Sequence, residues 1–348
     1  MLPQANAGKP AAVHALNFST WKRAAVRRCF PGTRTVFVDK VGQVPPGGVL
    51  VVWGMAPLPD DPPARLSVLR IEDGFLRSVG LGADLIRPMS WVVDSRGIYY
   101  DATQASDLEH LLAHASFDAA LLERAAFLRK RIVNARLTKY NVGATAWQRP
   151  ATAKHVILVP GQVESDASLA YGAPGIRTNI GLLRAVRAAN PQAHVLYKPH
   201  PDVLARLRAK GAGEDQAQSI CDEVVTDAAM GDLLLLVDEV HVLTSLAGFE
   251  ALLRDKPVTC HGQPFYAGWG LTRDLVPVAR RQRRLSLDEL IAGALITYPL
   301  YFSRRGDGLI TPEQALDELV GWRASAGLAV PWWRKCCRVI LRRVVGVR

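Results

Sequence analysis

Short runs of β-branched and aliphatic residues recur along the chain, separated by polar stretches or by segments with helical spacing. In the first half the apolar runs fall at 35–38, 49–53, 66–71 and 91–93, and their length predicts buried strands. From Ser106 the pattern turns helical. Ser106-Asp107-Leu108-Glu109 puts a hydroxyl three residues ahead of a carboxylate, the spacing of a reciprocal helix cap, and helical patterning runs on to about 137. The polar stretch 138–152 reads as a linker. Beyond it the alternation restarts: strand 155–159, helix 175–189, strand 194–197, helix 201–209, strand 223–225, a Leu-rich helix from 230, strand 239–243 and helix 246–254.

Strands alternating with helices imply parallel sheets with crossover connections. The expected fold is therefore α/β, with two Rossmann-like domains facing each other across a central cleft. The expected boundaries are a leader at 1–14, an N-terminal domain at 15–150, a C-terminal domain at 151–328 and a tail at 329–348. In open sheets of this kind ligands collect beyond the carboxyl ends of the strands, so the loops there carry the candidate chemistry.

At 348 residues, 49% hydrophobic and 22% charged, the chain can bury a sizeable core and suits two domains. Five cysteines without a Cys-x-x-Cys pair point to neither a disulfide scaffold nor a zinc site, and fit a reducing cytosolic setting. No stretch approaches the roughly 18 unbroken apolar residues of a membrane-spanning helix. The net charge of +11 favours anionic partners. Six of those positive charges lie in 331–348, which holds no acid.

Four loops stand out. After the strand ending at Ile71 comes Glu72-Asp73-Gly74-Phe75-Leu76-Arg77-Ser78: adjacent acids that can present a carboxylate to a cleft, or form a surface Asp-Gly turn. The second, 160–168, gathers Gln162, Glu164, Asp166 and Ser168. Asp166 could serve as nucleophile or base with Gln162, Glu164 and Ser168 orienting it or binding sugar hydroxyls, or it could simply cap a helix. In the third, Lys198-Pro199-His200-Pro201, a fixed cation beside a constrained histidine suits a phosphate and its attached base, while Pro201 at a first helical position is the structural alternative. In the fourth, Thr244 and Ser245 open a helix whose free amides attract anions, or Ser245 is an ordinary N-cap, and Glu250 either reaches a ribose hydroxyl or faces solvent.

Together with Asp94-Ser95-Arg96-Gly97-Ile98-Tyr99-Tyr100-Asp101 and the run 245–253 continuing into Pro264-Phe265-Tyr266-Ala267-Gly268-Trp269-Gly270, these loops resemble the KpsC-type capsule polysaccharide β-Kdo transferases, from about residue 21 to 299. Such enzymes transfer 3-deoxy-D-manno-octulosonic acid (Kdo) from CMP-Kdo. The acidic-acidic-Gly, His-Pro and Ser/Thr elements are also similar to those of bacterial sialyltransferases, which have a GT-B fold. Family members often carry two modules in tandem, and this chain has length for one. The resemblance implies a GT-B architecture, a CMP-sugar donor and a β-linked product formed with retention.

On that basis Asp166 is the expected nucleophile, because an enzyme carboxylate can trap the oxocarbenium-like state at Kdo's fully substituted carbon. Glu72, with Asp73 in competition, is the expected base for the acceptor hydroxyl. Lys198, His200 and the helix start at Thr244 and Ser245 would neutralise the departing phosphate. Arg77 is a candidate for the sugar carboxylate. The scheme calls for no metal and no cofactor beyond the donor. The aromatic phrase 265–270 could close over substrate or pack as core, and the basic run Arg280, Arg281, Arg283 and Arg284 reads most simply as a solvated loop, with acceptor binding as the alternative.

The tail interleaves Trp332 and Trp333 with cations and apolar residues, a composition suited to an anionic bilayer surface. It could equally pack back on the protein. The expectation is a cytoplasmic protein, peripheral at the inner membrane, acting on a lipid-linked or Kdo-terminated glycan, with capsule-assembly proteins as further partners. Nucleic acid is not expected, since no basic patch interleaved with aromatics occurs outside the tail. The competing classes are another CMP-sugar transferase, such as a sialyltransferase, and a non-catalytic polysaccharide-binding component.

Overall fold

The computed structural model describes residues 10–58, 63–81, 86–143, 145–306 and 308–326; the tail lies outside these. The first sheet is built on four parallel strands, β1 (Ala12–Leu16), β2 (Arg34–Val38), β3 (Val49–Trp53) and β4 (Ser67–Asp73), followed by the antiparallel β5 (Ser90–Asp94). The second contains β6 (Val156–Pro160), β7 (His194–Lys198), β8 (Glu223–Val224), β9 (Glu239–Val242), β10 (Val258–Cys260) and β11 (Arg273–Asp274), all parallel. Two late strands, β12 (Pro299–Phe302) and β13 (Leu309–Ile310), extend the first sheet beyond β5 as antiparallel members. The orders are β13-β12-β5-β4-β3-β1-β2 and β11-β10-β9-β6-β7-β8. This is the expected α/β architecture of GT-B type, two Rossmann-like units across a cleft.

The helices are α1 (Thr20–Cys29), α2 (Asp107–His114), α3 (Ala119–Asn134), α4 (Ala167–Gly172), α5 (Asn179–Ala189), α6 (Pro201–Leu204), α7 (Ala217–Ile220), α8 (Met230–Leu236), α9 (Leu246–Leu252), α10 (Leu287–Ile291) and α11 (Pro312–Ala326). Several differ from the sequence expectation for local reasons. The helix expected from Ser106 to 137 is two: Ser106 caps α2 through Glu109 N, and Asp118 opens α3 by accepting from Leu121 N at 2.8 Å. The helix expected over 201–209 stops after one turn, where Arg206 takes φ +56° and Leu207 N turns back to the Asp202 carbonyl. Strand β1 starts inside the expected leader, and β12 and β13, expected in the second unit, return the chain to the first.

That return is held by packing across the units. One core runs from Leu108, Leu112 and Leu128 through Phe249, Phe265 and Trp269 to Leu290 and Leu316, all buried. Each such side chain contributes about 1.5–3 kcal/mol by leaving water. The run 280–284 is not the expected solvated loop. Arg281 is 6% exposed and donates to Glu109 at 2.9 Å and to the carbonyls of Pro264 and Ala267, while Arg280 pairs with the same Glu109. A buried guanidinium needs such partners to offset its lost hydration, and here they tie α2 to the second unit. The phrase 265–270 is core: Phe265 stacks on Phe75 at 4.5 Å, and Trp269 is fully buried.

Candidate active site

A cleft of about 1400 Å³ is lined by residues from both units, at the carboxyl ends of the parallel strands. It brings together Glu72, Asp73, Arg77, Gln162, Asp166, Ser168, Lys198, His200, Pro201, Thr244, Ser245 and Glu250. Glu164 is the loop candidate that does not join them: its carboxylate accepts from Asn179 N at 2.8 Å and Ala212 N at 2.9 Å, bracing the loop instead.

On the second unit three strand ends each lead into a short helix with a polar cap. Asp166 caps α4 by accepting from Ser168 N at 2.8 Å, His200 caps α6 by accepting at Nδ1 from Asp202 N at 3.1 Å, and Ser245 caps α9 by accepting from Ala247 N at 3.2 Å. The structural alternatives thus hold locally, yet all three also line the cleft. Burial, reinforced by Lys139, drives the His200 pKa down to about 4, so the ring is neutral. Because Nδ1 is the acceptor, its proton sits on Nε2. Burial also lowers Lys198 to about 8. Gln162 locks two loops together, donating to Thr244 Oγ1 at 3.0 Å and accepting from Thr244 N at 2.9 Å.

The first unit supplies the paired acids at the end of β4. Asp73 is bound to Arg77 Nε at 2.6 Å, and Arg77 Nη1 donates to Ser78, so two of that guanidinium's nitrogens are already engaged. Glu72 has no such partner. Burial, and then the neighbouring Asp73 charge, push its pKa up to about 7. Tyr100 donates to its Oε2 at 3.4 Å. Gly54 makes room for this pair: at φ +48° its missing Cβ would stand 2.5 Å from the Tyr100 hydroxyl and 2.8 Å from Glu72 Oε2.

The phrase 94–101 has a structural job. Asp94 accepts from the amides of Arg96, Gly97 and Asp107 and from the Tyr298 hydroxyl, which fixes the loop that carries Tyr99 and Tyr100 into the cleft. Glu250 does not face solvent. It is buried, accepts from Lys139 N at 2.6 Å, and is pushed up to about 7 by that burial.

Sequence reasoning missed Trp21, Lys22, Trp53, Lys139 and Tyr140, which also line the cleft. Lys139 and Tyr140 fall in the stretch taken for a linker, which instead packs between the units: Ser78 N and Gly80 N bond its carbonyls on one side, and Glu250 holds its amide on the other. Burial opposes the Lys139 charge, but Tyr140, Asp73 and Asp166 raise its pKa above the usual lysine value. A Lys-Tyr pair in a polar stretch gave no periodic signal; only a Trp-Lys pair just after an unrecognised first strand could have flagged Lys22. Among the described residues no group of three or more His, Cys, Asp or Glu side chains is arranged to hold a metal ion.

Parallel sheets of GT-B type around a cleft lined with acids on one side and with His-Pro and Ser/Thr loops on the other define a glycosyltransferase-like architecture. The chain belongs to the capsule polysaccharide biosynthesis protein family, whose model matches residues 63–141 and 113–303. It is similar to the Thermosulfurimonas dismutans KpsC β-Kdo 2,7 transferase at 40% identity and TM-score 0.73, over 89% of this chain and 99% of that one. Its likeness to the KpsC β-Kdo 2,4 transferase of the same organism is 31% identity and TM-score 0.77, over 89% and 98%. Among curated relatives, the capsule polysaccharide modification protein LipA of Neisseria meningitidis serogroup A is 43% identical over 88% of this chain and 45% of its own length, so the chain spans about half of that relative. The lipopolysaccharide-processing protein LpsZ of Rhizobium meliloti is 42% identical over 81% and 68%.

Proposed function

We propose that the chain is a retaining β-Kdo transferase that moves Kdo from CMP-Kdo to a lipid-linked or Kdo-terminated glycan in capsular polysaccharide biosynthesis. The reading is carried by one observation: Glu72, Asp166 and His200, from separate strand ends on two sheets, line a single cleft. The likeness to KpsC modules supports the choice of sugar.

In this scheme the Asp166 carboxylate bonds to Kdo's anomeric carbon as the bond to the CMP phosphate oxygen breaks. The released phosphate charge is met by Lys198, the Nε2–H of His200 and the first turn of α9 behind Thr244 and Ser245. The acceptor hydroxyl then attacks the same carbon, gives its proton to Glu72 and displaces Asp166. Two inversions leave the configuration retained. Arg77 or Lys139 meets the sugar carboxylate, and no metal or further cofactor takes part. Incubating Asp166→Ala with CMP-Kdo and a Kdo-terminated glycolipid tests the assignment: product formation is expected to cease, and retained turnover removes Asp166 from the role. Offering CMP-sialic acid in parallel separates Kdo transfer from a sialyltransferase-like activity.

No helix among the described residues is long and apolar enough to cross a membrane. We infer from the sequence of 331–348 that its tryptophans and six cations hold the enzyme peripherally on an anionic inner-membrane surface, where a lipid-linked acceptor and capsule-assembly proteins would be met. Deleting 331–348 is expected to abolish flotation with anionic liposomes; equal flotation of both forms removes the tail from that task.

A further inference from the structure

Lys22 lies in the first turn of α1, at the carboxyl end of β1, and its ammonium is held in an unusual way. Nζ sits 3.0 Å from the centroid of the Trp53 ring and 5.4 Å from that of Trp21. Trp53 is itself fixed, edge to face, by Phe18 at 6.3 Å and Trp91 at 5.3 Å. An indole face attracts a cation but does not replace its hydrogen-bonding water. No carboxylate of the described residues lies within the 4.0 Å of an ion pair from Nζ. Burial draws the Lys22 pKa down to about 8 even though Asp73 and Glu72 pull it up. The result is a partly desolvated cation, fixed in place and facing the cleft, with its hydrogen-bond donors unspent.

Its position selects the ligand. Trp53 ends β3, and the next residue, Gly54, lies against Glu72 Oε2. The cation is therefore next door to the candidate base. It belongs to the first unit, across the cleft from Lys198, His200 and Ser245, which serve the donor phosphate. A ligand whose hydroxyl reaches Glu72 would lay its nearest substituents against Lys22 and Trp21. A neutral sugar there would leave the ammonium without a partner, whereas a carboxylate would accept a charge-assisted hydrogen bond from it.

We propose that Trp21, Lys22 and Trp53 form an acceptor subsite for an acidic sugar, in which Lys22 binds the carboxylate of the same residue whose hydroxyl is activated by Glu72. The assignment rests on the glycosyl-transfer reading above and adds the residues that select an acidic sugar at the acceptor's end. Trp53 orients the ammonium, and Trp21 offers an aromatic surface to the ring.

The test uses the full chain with Lys22→Met and Lys22→Arg and two soluble acceptors, a Kdo-terminated glycoside and the same glycoside with its terminal carboxylate converted to a carboxamide. At saturating donor, Lys22→Met is expected to raise the KM for the acidic acceptor tenfold or more while kcat changes less than threefold, and Lys22→Arg is expected to recover most of the loss. The carboxamide should cost the wild type a similar factor and cost Lys22→Met little. A loss of equal size for both acceptors, or a fall in kcat at constant KM, overturns the subsite. Calorimetric titration of the acidic glycoside into wild type and Lys22→Met without donor keeps the two readings apart. If the wild type does not consume CMP-Kdo the transfer reading fails, while weaker binding by the variant still supports the subsite and equal binding refutes it.

Discussion

The two walls of the cleft are built on different plans. The second unit repeats one device three times: a parallel strand ends, a polar side chain caps a short helix, and that residue also meets the cavity, as with Asp166, His200 and Ser245. The first unit uses its strand ends differently. Its key groups come from distant segments, Lys22 from α1, Trp53 from β3, Glu72 from β4 and Tyr100 from the loop after β5; Glu72 shifts both Lys22 and Tyr100, and Trp53 carries the Lys22 ammonium. A capped strand end makes a fixed receptacle, suited to an invariant nucleotide. An assembled wall of mutually shifted charges makes a site whose protonation depends on what enters it.

The sharpest way to separate the plans is to remove one acid from each wall. Asp166→Ala should lower transfer on the order of 10³-fold or more and, as a lost cap, destabilise by about 0.5–2 kcal/mol. Asp166→Asn keeps a competent cap and loses the nucleophile, so it should melt like wild type while remaining inactive. If both variants melt and turn over like wild type, Asp166 is neither cap nor nucleophile. On the other wall Glu72→Gln should lower kcat by about 10²–10⁴-fold. Because the Glu72 pKa is raised to about 7, the carboxyl holds its proton below that value and cannot accept another. Wild-type kcat should then rise with pH through about 7, a limb absent from the residual activity of Glu72→Gln. A limb that survives in Glu72→Gln but vanishes in Asp73→Asn would transfer the role to Asp73.

The same contrast explains what could be read from the sequence. The second wall was legible because each of its groups is a few residues from the strand that positions it, so Pro160-Gly161-Gln162, Lys198-Pro199-His200 and Thr244-Ser245 carry both signals in one phrase. On the first wall only Glu72, Asp73 and Arg77 share that property. Lys22 was lost because strand β1, Ala-Val-His-Ala-Leu, has a single β-branched residue and was largely absorbed into a leader. Lys139 and Tyr140 were lost because inter-unit hydrogen bonds, not periodicity, order them. The buried role of Arg281 was invisible for a related reason: its partner Glu109 is 172 positions away, and four arginines in five residues look like solvent-facing charge until that partner is known. The fold class followed from strand and helix alternation, whereas β12 depends on pairing with β5 and β13 on pairing with β12, which no local pattern states.

Between the walls lies the segment 137–141, and the smallest predicted effect concerns what holds it. Glu250 accepts from Lys139 N at 2.6 Å, Arg254 donates to the Leu137 carbonyl at 2.9 Å, and Lys139 in turn influences Glu72 and His200. Glu250→Gln keeps an oxygen for the Lys139 amide, so activity should fall only a few-fold, but it removes a titration. In the folded protein burial raises this carboxyl to about 7, while the unfolded chain loses the proton near the ordinary carboxylate value of about 4.3. The folded state therefore binds that proton more tightly, and the associated stability, complete below the unfolded value, is lost as pH rises through about 7. Thermal melts between pH 5 and 8 should show wild-type Tm falling more steeply than that of Glu250→Gln, with a residual slope from Glu72, which shifts in the same direction. Equal slopes would mean that Arg254 keeps Glu250 ionised throughout. The segment would then be clamped by a buried ion pair rather than by a protonated acid, and the two walls would be coupled by charge instead of by hydrogen bonding.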